Sequence, residues 1–137
     1  MRVRSLIGLA ALLLATSCAS AGPPLDAEIT RVPSRRVEVW SVHAEDAGDV
    51  VRVRGLVRRR PLDNGPLWGH VDVEARFGDG RLPIVTEAFW SAPSAKSSRT
   101  APYSARLPIA DAAAVTDIVV SYAPGRHADE ANPGSSS

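Results

Sequence analysis

From about residue 35 onward, oily and polar side chains alternate along the chain, and Gly and Pro clusters interrupt the alternation. A two-residue period belongs to half-buried strands, because successive side chains of a strand point to opposite faces. Val37, Val39 and Ser41 alternate with Glu38, Trp40 and Val42. Val51, Val53, Gly55 and Val57 alternate with Arg52, Arg54, Leu56 and Arg58. Val71, Val73, Ala75 and Phe77 alternate with His70, Asp72, Glu74 and Arg76. Residues 82–90 form a fourth run with Ile84, Val85 and Phe89. Tyr103, Ala105, Leu107 and Ile109 make a fifth, alternating with Ser104 and Arg106. Ile118, Val120 and Tyr122 make a sixth, alternating with Asp117, Val119 and Ser121.

Gly78, Asp79 and Gly80 between the third and fourth runs signal a hairpin. Asp63, Asn64, Gly65 and Pro66 form a second turn cluster. Beyond the first residues no long helical period occurs; residues 110–114 suit one short helical turn. Six or seven short strands with frequent turns predict an all-β, antiparallel sandwich. A small closed barrel is the alternative.

The first residues read differently. Arg2 and Arg4 precede an apolar run of about 10 residues, followed by the small residues Thr16, Ser17, Cys18, Ala19, Ser20 and Ala21. That is the layout of a secretory leader, and the run is shorter than the ~20 residues a membrane-spanning helix needs. Leu14, Ala15, Thr16, Ser17 and Cys18 resemble a bacterial lipobox, with Ala15 where Leu is commonest. The resemblance implies cleavage before Cys18 and lipidation of that cysteine. It also implies an outer-membrane destination in an organism that has such a membrane, because Ala19 rather than Asp follows the cysteine; without the anchor the chain would be secreted or periplasmic. Ala19, Ser20 and Ala21 offer the competing cut, an ordinary A-x-A site.

Residues 18–34 include Pro23, Pro24 and Pro33 and read as a flexible tether. Residues 127–137 end in Asn-Pro-Gly-Ser-Ser-Ser and read as a disordered tail. The expected organisation is therefore a lipoprotein signal peptide at 1–17, a tether at 18–34, a β-sandwich at 35–126 and a tail at 127–137.

Composition and charge narrow the function. The chain has 137 residues, of which 45% are hydrophobic and 5% aromatic, which suits one globular domain. With 16 basic and 15 acidic residues the net charge is +1, which argues against a nucleic-acid partner. A single cysteine excludes an intramolecular disulfide.

Arg52, Arg54 and Arg58 share one strand face and are followed by Arg59 and Arg60. Such a stripe either meets an anionic surface or is neutralised by acidic residues on a neighbouring strand. A hairpin between the second and third runs would set Arg54 against Asp72 and Arg52 against Glu74, or Arg54 against Glu74 and Arg58 against His70. Arg58, Arg59 and Arg60 at its end remain a candidate basic patch.

His70, Asp72 and Glu74 share a strand face, with His43 as a further candidate metal ligand. Neighbours on one face of one strand lie about 6–7 Å apart, too far to chelate without help from another strand. The simpler reading is a solvated polar face. The tryptophans Trp40, Trp68 and Trp90 either fill the core or form a platform for a sugar or a protein. No G-x-S-x-G elbow, phosphate-binding loop or cofactor signature occurs, so neither a catalytic residue nor a cofactor is expected.

The runs through Val51, Val53, Gly55 and Val57, through Gly69 to Val73, the Gly78–Arg81 turn, and the late runs through Tyr103 to Pro108 and Ile118 to Tyr122 carry a resemblance. The chain is similar to small exported bacterial proteins with an immunoglobulin-like or fibronectin-III-like β-sandwich. The resemblance is architectural and brings no catalytic residues with it. The expected function is a lipid-anchored cell-envelope domain with a non-catalytic binding or structural role. Its partners would be the membrane through Cys18 and an envelope protein or glycan. The alternative is an envelope metal-binding protein using His43, His70 and nearby carboxylates.

Overall fold

A computed structural model describes residues 21–61, 69–90 and 99–125. The leader, Cys18, the 63–66 turn cluster, Trp68 and the 127–137 tail lie outside the described residues. The described chain forms β1 (Glu28–Arg31), β2 (Val37–Asp46), β3 (Val51–Arg59), β4 (His70–Phe77), β5 (Ile84–Ala88), β6 (Thr100–Leu107) and β7 (Val115–Ala123). A single 3-10 turn, Ala112–Ala114, leads into β7, as the 110–114 segment suggested.

The strands build two sheets, one ordered β1-β7-β4-β5 and the other β2-β3-β6. The all-β sandwich expected from the alternation is the architecture observed. The order β2-β3-β6 against β5-β4-β7 matches strands A-B-E and C′-C-F of an immunoglobulin-type sandwich. The edge beside β7, which that sandwich gives to a C-terminal strand, is taken here by β1. Among the named strands β1 alone runs parallel to its neighbour, with Ile29 beside Ile118 and Arg31 beside Val120.

Inward faces follow the alternation. Val51, Val53 and Val57 of β3 meet Val71, Val73 and Ala75 of β4 in a core completed by Leu107, Ile118 and Val120. Valine dominates because a β-branched side chain suits a pleated, half-buried surface, and each fully buried one contributes about 1.5–3 kcal/mol. The inward face of β2 departs from the expected pattern. A bulge between Val39 and Ser41 flips the parity, so that Val42 and Ala44 turn inward after Val37 and Val39.

Two further expectations are corrected. Residues 18–34 are not a tether along their described length. Pro24 bridges Glu45, the Leu25 amide donates to the Ala44 carbonyl at 2.9 Å, and Leu25 and Ala27 pack on the core. The chain then crosses to the other sheet as β1, and the Val32 amide donates to Val120 at 2.9 Å. Composition hid this strand because β1 is exposed along its whole length and is held mainly by backbone hydrogen bonds. Its alternation therefore carries no signal.

The second correction concerns the expected hairpin between the second and third runs. β3 and β4 lie in different sheets, and β3 pairs with β2 and β6. β2 extends the first run to Asp46, only four residues before β3, so the nearer partner won. On the far side of the sandwich Trp90 leaves β5 and bridges Tyr103 of β6. The N-terminal segment and the 88–90 segment thus each join the two sheets, which shields strand edges from other chains.

Candidate functional site

Two side-chain groupings stand out, one on the outer face of each sheet. The β2–β3 register places Glu38 opposite Arg58 and Glu45 opposite Arg52. Glu45, only 7% exposed at its side chain, accepts from Arg52 Nη1 at 2.9 Å and Arg54 Nη2 at 3.0 Å. Most of the arginine stripe is therefore neutralised, as one reading of the sequence held, but by acids of β2 rather than of β4.

Arg58 is held differently. Its Nη2 donates to Glu38 Oε2 at 2.7 Å and its guanidinium lies 3.6 Å from the centre of the Trp40 ring. Trp40 sits at the β2 bulge and is 46% exposed. Arg31, reaching over from β1, donates from Nη1 to the Trp40 carbonyl at 2.8 Å. Beside this stack Arg31, Ser34, Glu38, Val39 and Arg60 line a shallow cavity of about 190 Å³. Arg60 donates from Nε to the Ser34 carbonyl at 3.1 Å. The hydrogen bond from Arg58, reinforced by the charges of Arg58, Arg60 and Arg31, holds the Glu38 carboxyl below its usual range. One carboxylate thus faces three guanidinium groups, a local excess of positive charge.

Of the expected basic patch, Arg60 lines this cavity and Arg58 is held on Glu38 and Trp40 beside it, whereas Arg59 is half-buried and its amide donates to the Arg99 carbonyl. Arg31 joins the group although the sequence did not single it out. Its placement depends on the parallel β1 strand. Of the three tryptophans, Trp40 is the exposed platform, Trp90 is buried and stacks on Tyr122 at 5.9 Å, and Trp68 lies outside the described residues.

The second grouping is on the outer face of β4 and β5. His70 is fully buried, beside the exposed Phe89 ring at 5.4 Å. Its Nε2 lies 3.0 Å from Asp72 Oδ1 and 3.7 Å from Glu87 Oε1. The other two expected ligands are elsewhere. His43 is exposed on the three-stranded sheet, and Glu74 accepts from Arg76 Nε at 2.6 Å. Glu87 was missed. The Gly78–Gly80 turn already marked a hairpin, and its register, Asp72 opposite Glu87, would have placed it.

Comparison with family models, with curated proteins and with solved structures returns no match to the chain.

Proposed function

We propose that the chain is an exported, lipid-anchored binding domain of the cell envelope, a non-catalytic reader of acidic glycans. The leader at 1–17 and the lipobox-like stretch ending at Cys18 support export and anchoring. Acyl chains contribute about 0.8 kcal/mol per buried CH₂, so several on one cysteine hold firmly where a single chain is marginal. The domain would stand close to the membrane, because its ordered body starts within a few residues of the lipidated cysteine.

The observation that carries the binding role is the exposed Trp40 ring with Arg58 stacked on it, beside the cavity edged by Arg31 and Arg60. An aromatic ring offers a large contact area with little rotamer entropy to lose, and Trp and Arg are the residues most enriched where binding energy concentrates. Each guanidinium carries five N–H donors in a fork that matches a carboxylate or phosphate. An acidic sugar satisfies both features, with its ring against the part of Trp40 that Arg58 leaves exposed and its carboxylate on the arginines.

The test uses the full chain purified from membranes, with immobilised polygalacturonate as the probe. Binding that weakens with salt and drops about tenfold or more in Trp40→Ala and in Arg58→Gln supports the reading. Binding equal to the parent in both variants defeats it. Metabolic acyl labelling of the parent, lost in Cys18→Ser, supports the anchor; an unlabelled parent defeats that part. Retention of an envelope protein in place of the glycan would also overturn the glycan assignment.

A further inference from the structure

We infer that His70, Asp72 and Glu87 form a binding site for one divalent transition-metal cation. The site lies on the opposite sheet from Trp40 and is independent of the glycan reading.

The register is the first support. Asp72 stands directly opposite Glu87 across β4 and β5. Like charges opposite one another destabilise a sheet. On the other sheet Glu38 stands against Arg58 and Glu45 against Arg52, and the like-charge pair there, Arg52 opposite Arg106, is offset by Glu45 held on Arg52 at 2.9 Å. Here the carboxylates face each other, so the arrangement calls for a positive charge between them. The neighbouring strand brings none, because β7 places Ser121 beside Asp72 and Val119 beside Glu74. Arg76, the basic residue of β4, is engaged with Glu74. Among the described residues His70 is the group that faces both carboxylates.

The distances are the second support. One ligand atom from each of the three residues lies within 4.8 Å of the others. Ligands about 2.0–2.2 Å from a tetrahedral ion are about 3.3–3.6 Å from each other. The His70–Asp72 and His70–Glu87 separations of 3.0 and 3.7 Å bracket that span. The remaining adjustment falls on Glu87, whose side chain is 32% exposed and has three torsions to move.

The chemistry of the donors gives the class of ion. Two carboxylates supply the charge that a divalent cation balances, and a neutral imidazole favours Zn2+, Cu2+, Fe2+ or Ni2+ over Mg2+ and Ca2+. Two strands hold the ligands, and the buried imidazole is fixed against Phe89, so the site is largely formed before the ion arrives. The ion enters from the Glu87 side, where the carboxylates meet solvent. That side leaves a fourth position for water.

The rival arrangement is a protonated His70 bridging the two carboxylates as a purely structural ion pair. The experiment separates the two. The full chain, stripped with chelator, is titrated with Zn2+ by calorimetry, and with Co2+ by visible absorption. The expected result is one saturable equivalent, a thermal midpoint raised by excess Zn2+, and a Co2+ ligand-field band that shifts in Glu87→Gln. Glu87→Gln, the more exposed and better tolerated change, weakens Zn2+ binding at least about tenfold, as does Asp72→Asn where it folds. His43→Ala binds as the parent does. A midpoint indifferent to Zn2+ assigns the cluster to the ion pair and overturns the site. So does binding unchanged in Glu87→Gln, or binding lost in His43→Ala.

Discussion

Tyr103 donates its hydroxyl to the carbonyl of Ser41 at 3.0 Å, reaching across β3 from β6 to the bulge on β2. The bulge turns that carbonyl toward the interior, where it needs a donor. Gly55 lies between the two, opposite Tyr103 in register. A Cβ at Gly55 would stand 2.7 Å from the Tyr103 hydroxyl and would overlap the Ser41 carbonyl oxygen. The bulge, the glycine and the tyrosine are therefore one structural unit. That unit sets the parity of β2 beyond Trp40, where Val42 and Ala44 turn inward.

Removing the donor leaves the Ser41 carbonyl without its buried hydrogen bond. Tyr103→Phe is expected to cost about 1–3 kcal/mol. Gly55→Ala costs more, because the β2 backbone itself must shift. Urea unfolding checks both, read as a lowered midpoint at unchanged slope. Tyr103→Phe as stable as the parent would show that the bulge does not depend on this bond.

The same burial gives a pH dependence. Desolvation pushes the Tyr103 phenol above its ordinary value of 10.0. The raised group keeps its proton in the folded chain at a pH where the unfolded chain has begun to lose its own. Its stabilisation is therefore complete below about pH 10 and declines as the pH rises above it. Thermal midpoints measured between about pH 8 and about pH 11 should fall more steeply in the parent than in Tyr103→Phe. Parallel curves would show that the phenol contributes no such linkage.

The N-terminal segment provides a third test. A chain beginning at residue 35 lacks Leu25 and Ala27 from the core margin and leaves the β7 edge bare. It should unfold at lower urea than the parent and self-associate in sedimentation, since a bare strand edge is a template for another chain. Stability and mass equal to the parent would return residues 18–34 to the role of a tether.

Local alternation was enough to determine that this chain is an all-β sandwich, because burial on one face of a strand writes a two-residue period directly into the sequence. It marked the core valines, the Gly78–Gly80 hairpin and the single helical turn before β7. It left the arginine stripe either to an anionic surface or to acidic partners on a neighbouring strand. Which acids those are, Glu38 and Glu45, was decided by the sheet to which β3 belongs, a long-range choice that no local pattern records. β1 was illegible because a wholly exposed edge strand is held by backbone groups that every residue carries. Arg31 reached Trp40 only through the parallel strand, and Glu87 met His70 and Asp72 only through a cross-strand register. Periodicity reports which side of its own strand a residue occupies; only the folded chain decides what stands opposite.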